Sequence, residues 1–131
     1  LCGPERGIDL SAFVGQKIRS IELDKERNGG DGGVVLTFEG GRAFMLYDCA
    51  RSCCESRYIT TDDDLGSFAG ATLADIDVAE GPTTEVDGEP HETAFLKVKT
   101  SLGDVTFETH NEHNGYYGGM IVTAQMIEEP A

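Results

Sequence analysis

The stretch Val34-Val35-Leu36-Thr37-Phe38-Glu39-Gly40-Gly41-Arg42-Ala43-Phe44-Met45-Leu46-Tyr47 decides the fold. Two runs rich in β-branched and aromatic residues flank a Gly-Gly pair that tolerates positive φ, the pattern of a β-hairpin. A second pair follows later: Ala94 to Thr100 and Val105 to His110, separated by Ser101-Leu102-Gly103. In its first run Phe95, Lys97 and Lys99 alternate with Leu96 and Val98, as expected for a strand with one buried face. Gln16 to Leu23 reads as a further strand, followed by a Gly-rich loop from Asn28 to Gly33. Tyr116 to Ile127 reads as a closing strand with Met120, Val122, Ala124 and Met126 on one side.

Between the hairpins, Thr60 to Asp64 offers a cap and an acidic first turn for a short helix through Leu65 to Ala69. Asp9 to Val14 reads likewise. Glu80 to Glu92 is dominated by Gly, Pro, Thr and acids and reads as a surface loop.

The order of elements repeats. Leu10, Phe13, Gly15, Ile18, Ile21 and Leu23 stand above Leu65, Phe68, Gly70, Leu73, Ile76 and Val78 at one offset (65 − 10 = 55). Four of these six pairs are identities, and each half continues with a loop and a hairpin. The expectation is a mainly β (α+β) single domain over residues 1–131. It comprises two pseudo-repeated helix-turn, strand and hairpin units, about 9–60 and 64–127, with two short helices. One such unit cannot bury its apolar face alone, so the two share a core as one antiparallel sheet or as a two-sheet sandwich.

A chain of 131 residues with 39% hydrophobic residues fits one compact core. Ten Lys plus Arg against 24 Asp plus Glu give a net charge of -14. That charge repels phosphate backbones and anionic membranes, so direct nucleic-acid binding is not expected; a basic partner surface would be attracted. The longest apolar run, Ala43 to Tyr47, is far below the ~20 residues of a membrane helix. No apolar signal-like segment opens the sequence, which makes the cytoplasm the default location.

The repeat places two unusual segments at matching positions after the hairpins: Asp48 to Ile59 and His110 to Ile121. Cys49, Cys53, His110 and His113 supply the thiolate and imidazole ligands that zinc prefers. No paired C-x-x-C is present, and adjacent Cys53 and Cys54 on a strand would point to opposite faces. The simpler reading is packed free thiols with no cofactor. With Cys2, the four cysteines permit three disulfide pairings, of which any containing Cys53–Cys54 would be strained. A thiol activated by His110 or His113 and flanked by Glu55 is the enzyme alternative. Asn114-Gly115 is a favoured turn pair, and Tyr116 and Tyr117 as strand neighbours face opposite sides, leaving one ring for a partner or ligand. Asn28-Gly-Gly-Asp31-Gly-Gly is a single copy of a calcium nonapeptide-like unit without stacked neighbours. Asp62-Asp63-Asp64 lacks the spacing of an EF-hand loop.

At these residues the chain resembles a family of small proteins of unknown function encoded largely by tailed bacteriophages. The resemblance rests on Asp48 followed by Cys53-Cys54-Glu55-Ser56, on Asn114-Gly115-Tyr116-Tyr117-Gly118-Gly119, and on the leading Phe13-Val14-Gly15-Gln16-Lys17-Ile18. Cys49 to Ser52 intervene here between the acid and the cysteine pair, and Arg57 stands where the family often has an aromatic. The resemblance implies a phage accessory protein in the host cytoplasm, acting as a non-catalytic binding module for a host or phage protein or a small ligand. Its expected binding residues are Cys53, Cys54, Glu55, Ser56, His113, Asn114, Tyr116 and Tyr117. A virion structural or decoration protein is the alternative.

Overall fold

The computed structural model describes residues 10–26, 32–48, 56–86, 88–112 and 122–127. Among these described residues eight strands follow in chain order: β1 (Ile18–Asp24), β2 (Gly33–Phe38), β3 (Ala43–Asp48), β4 (Ser56–Thr60), β5 (Leu73–Val86), β6 (Glu89–Thr100), β7 (Gly103–Glu112) and β8 (Val122–Ile127). They form two antiparallel four-stranded sheets, ordered β1-β2-β3-β8 and β4-β7-β6-β5. The chain is therefore mostly β, and of the two arrangements open to it the two-sheet one is adopted.

Alternation builds the shared core. Val34, Leu36 and Phe38 of β2 with Phe44 and Leu46 of β3 meet Leu96 and Val98 of β6 with Val105 and Phe107 of β7 in one apolar cluster. Both hairpins read in the sequence form, with Leu36 opposite Phe44 and Val98 opposite Val105. Phe13 fills the first half's end of the core. Its ring lies 5.0 Å from that of Phe38 and 4.8 Å from that of Phe44, and Arg42 caps it with its guanidinium carbon 4.6 Å from the ring centroid.

Three expectations are corrected. The short helices are single 3₁₀ turns, Leu10–Phe13 and Leu65–Phe68, because Gly15 and Gly70 reverse the chain at φ 90 and 89 before an α-helix could nucleate. Asp64 makes no side-chain cap bond; Ser67 Oγ instead donates to its carbonyl at 2.7 Å. Glu80 to Glu92 is not a loop but the outer half of a β5–β6 ribbon, with Thr83 opposite Glu92 and Val86 opposite Glu89. Its Thr and Val residues favour extended backbone. Pro90 falls where β6 is paired to β5 alone, since β7 begins its pairing at His91. On β8, Ala124 and Met126 stand opposite Leu46 and Phe44 and so share one side as expected, with Met126 39% exposed because β8 is an edge strand.

Each sheet is completed by a strand from the other half. β3 takes β8, with Asp48 opposite Val122 and Ala43 opposite Ile127. β7 takes β4, with Ser56 opposite Glu112 and Thr60 opposite Glu108. The turn regions also grip each other. Gly15 N donates to Leu73 O at 2.8 Å and Gly70 N to Ile18 O at 2.8 Å; Ile18 N donates to Ala71 O at 2.7 Å and Leu73 N to Gln16 O at 3.0 Å. A bridge pairs Lys17 with Thr72 at the centre.

Candidate functional site

Buried polar side chains are the informative ones in an apolar core. Among the described residues they are Arg57, Thr109 and Asn111, at 5%, 2% and 0% exposure. Arg57 of β4 stands opposite Asn111 of β7, and Thr109 Oγ1 donates to Ala94 O at 3.3 Å. All three lie toward one end of the second sheet, where β4 begins at Ser56 and β7 ends at Glu112. Burying a guanidinium there is expensive unless its surroundings are polar, so this end of the interior differs in character from the rest.

The outer face of the same strands carries an ionisable cluster. Alternation along β7 puts Glu108, His110 and Glu112 on the face away from the core, while β4 and β6 add Tyr58 and His91. The Tyr58 ring stacks on the His110 imidazole at 4.5 Å and 11°. His110 Nε2 lies 2.9 Å from Thr60 Oγ1 and 3.5 Å from Glu108 Oε2, and its Nδ1 lies 3.1 Å from His91 Nε2. A carboxylate beside Nε2 favours the tautomer with the proton on that nitrogen. Nδ1 then accepts from the His91 N–H, so both ring nitrogens of His110 have a complementary neighbour.

Protonation follows this geometry. The His110 side chain is 12% exposed. Burial holds its pKa below the ordinary histidine value, and repulsion from His91 pushes the same way, with Glu108 and Glu112 opposing. Tyr58 is displaced upward, first by burial and then by its hydrogen bond to the Glu112 carboxylate. Beside this cluster a shallow cavity of about 160 Å³ is lined by Thr60, Thr61, Asp62, Asp63, Thr106 and Glu108. Asp63 accepts from Thr106 N at 2.7 Å, and Thr61 Oγ1 donates to Thr106 O at 2.8 Å, so two of its lining groups lock the linker after β4 onto β7.

Of the residues singled out by sequence, Cys49, Cys53, Cys54, Glu55, His113, Asn114, Tyr116 and Tyr117 lie outside the described residues, and of Ser56 the backbone in β4 is described. Among the metal candidates only His110 is placed, with both ring nitrogens engaged by protein groups. Among the described residues no group of three or more His, Cys, Asp or Glu side chains is arranged to hold a metal ion. His110 sits within a paired strand and not on an exposed hairpin tip. Tyr58, His91, Arg57 and Asn111 were not anticipated. The alternation of β7 exposes Glu108, His110 and Glu112 as one row, but only the strand order β4-β7-β6 brings Tyr58 and His91 to it.

Among the described residues no helix is long and apolar enough to cross a membrane. No curated protein and no solved structure matches the chain. A family model does, over residues 9–123, and the chain accordingly belongs to the family described as Domain of unknown function DUF7448.

Proposed function

We propose that this chain is a non-catalytic binding module of bacteriophage origin that acts in the host cytoplasm on a host protein or a small ligand. Its surface would combine Cys53, Cys54, Glu55 and Ser56 with His113, Asn114, Tyr116 and Tyr117. The repeat read in the sequence, about 9–60 and 64–127, belongs to the same proposal.

The observation that carries this reading is the strand pairing on either side of the two segments. Asp48 is opposite Val122, and Ser56 is opposite Glu112. Residues 49–55 and 113–121 are thus tethered at the same two places, one set of ends on the first sheet and the other on the second. The clustering of Arg57, Thr109 and Asn111 at the second of these tethers supports the reading. Polar groups in an otherwise apolar interior are costly to the fold, which sets this end of the second sheet apart from the rest of the core.

The test is affinity capture with immobilised wild type, His113→Ala and Tyr117→Ala, each first shown to be folded by circular dichroism. The expected result is a species retained by the wild type and lost at least tenfold by both substitutions. Equal retention by all three proteins would refute the assigned surface. Co-sedimentation of the protein with assembled phage particles would favour the virion role instead.

A further inference from the structure

We infer that the molecule is a covalently tied, strand-exchanged dimer of one small β unit, whose interaction surfaces are the free edges of β3 and β7 and whose partner at each edge is the fourth strand of the other unit. This deepens the repeat proposed above and rests on it. What is new is the exchange.

Each unit consists of a 3₁₀ turn, a reversing glycine and four strands: β1 to β4 in the first, β5 to β8 in the second. Three strands of each unit form a meander, β1-β2-β3 and β5-β6-β7. The fourth leaves. β4 follows β3 in sequence yet pairs with β7, and β8 follows β7 yet pairs with β3. In a unit folded on itself the fourth strand would simply add to the third as a hairpin, since consecutive antiparallel strands ordinarily neighbour each other. Here both units depart from that rule, and they depart in the same way.

Backbone detail follows the same twofold. The two bonds between Gly15 and Leu73 and between Gly70 and Ile18 exchange places when residue numbers are shifted by the repeat offset, as do those between Ile18 and Ala71 and between Leu73 and Gln16. Lys17 opposite Thr72 maps onto itself. The register irregularity between Ile18 and Ser20 recurs between Leu73 and Asp75. Within each unit, Gln16 N donates to Phe13 O at 3.0 Å and Ala71 N to Phe68 O at 3.1 Å. An isologous contact has this signature, in which residue i meets j and j meets i. A fold that arose without duplication has no reason to repeat hydrogen bonds, a bulge and a strand departure together.

The chemical consequence is that neither meander is complete without the other unit. The third strand of each has an unpaired edge until the other unit supplies its fourth strand, and an open edge carries unsatisfied backbone groups. Thr61 to Asp64, the short link between β4 and the second 3₁₀ turn, is then held to β7 by the bonds of Thr61 and Asp63 with Thr106, and its covalent continuity is not what keeps the exchanged strands paired.

The test cuts that link in the otherwise complete protein. A protease site inserted between Asp62 and Asp63 is cleaved after folding, with the uncut insertion protein as the control for tolerance of the insert. The expected result is one particle containing both pieces, melting in a single transition whose midpoint falls on dilution, with loss of the β circular dichroism signal coinciding with dissociation. Two separate transitions, or separation of the pieces with the β signal retained, would overturn the exchange. An independent measurement uses Gly15→Ala and Gly70→Ala, which meet the same positive φ and open space. Equal lowering of the melting midpoint by both is expected, and a large loss from one with none from the other would overturn the twofold. Neither experiment reads partner capture, so their failure is separable from failure of the binding surface.

Discussion

The two 3₁₀ turns have matching backbones and different interiors. Phe13 is 1% exposed between Phe38 and Phe44, whereas Phe68 is only partly buried against the core. The reason is in the register. Ile18 stands opposite Phe38 and Leu73 opposite Thr100; Leu36 stands opposite Phe44 and Val98 opposite Val105. The positions equivalent to Phe38 and Phe44 are therefore Thr100 and Val105, so the second hairpin offers no aromatic ring where the first offers two. Backbone hydrogen bonds fix the shape of the turn, while the residues on the neighbouring hairpin decide how much apolar area it buries.

The outer faces differ as well. On the first sheet Val35, Ala43 and Tyr47 alternate with the core residues yet are themselves at most 7% exposed. On the second, the corresponding rows carry Thr106, Glu108 and His110 on β7 and Lys97 and Lys99 on β6. Among the described residues the outer face of the first sheet is packed and that of the second is polar, and the ionisable cluster lies on the second.

The largest expected effect tests the first contrast. Phe13→Ala should cost about 3–5 kcal/mol of unfolding free energy, as for a fully buried aromatic, and Phe68→Ala about 1–2 kcal/mol, as for a half-buried one. Urea denaturation of both variants would measure this, and equal losses would break the comparison. A smaller effect belongs to the part of β5 that has no counterpart in β1. A Cβ on Gly81 would meet Phe95 Cε2 and Thr93 O, each at 2.9 Å. The carbonyl is backbone and cannot swing aside, so Gly81→Ala should cost about 1–3 kcal/mol through local overpacking.

The third effect is on pH dependence and sharpens the contrast between the faces. Because the folded-state pKa of His110 lies below its unfolded value, the unfolded chain binds more protons as the pH falls through the ordinary histidine range. The stabilisation is fully present above the unfolded pKa of about 6.5 and is lost as the pH falls from there toward the lower folded pKa. Denaturation of the wild type and of His110→Gln at pH 7.5 and at pH 5.5, values chosen to bracket about 6.5, should show a steeper loss for the wild type. Parallel losses would mean that the burial of His110 beside His91 is not maintained in solution.

The second hairpin was legible because it alternates cleanly, Leu96 and Val98 pointing inward and Lys97 and Lys99 outward, and the first because two β-prone runs, buried at nearly every position of β2, flank Gly40 and Gly41. The partner of the β4 strand was not. Ser56 to Thr60 is five residues long, follows a cysteine cluster that invites a chemical reading, and is held by pairing with β7 some fifty positions away. Gly81, Pro82 and the acids around them lowered the strand propensity of the β5–β6 ribbon, yet two-strand pairing overrode it. The same nonlocality hid the cluster. His110 was visible as a polar residue near a motif, but His91 sat in a presumed loop and Tyr58 in a presumed cysteine segment. Their meeting depends on which strand follows which across the sheet, and a linear pattern does not specify that.

Exchange of the fourth strands is what ties the two halves and tethers both motif segments at common points. Cross-strand backbone NOEs in the uncut protein test it most directly. The account predicts contacts between residues 43–48 and 122–127 and between 56–60 and 108–112. Contacts joining 43–48 to 56–60 and 103–112 to 122–127, each fourth strand folded back on its own unit, would contradict it.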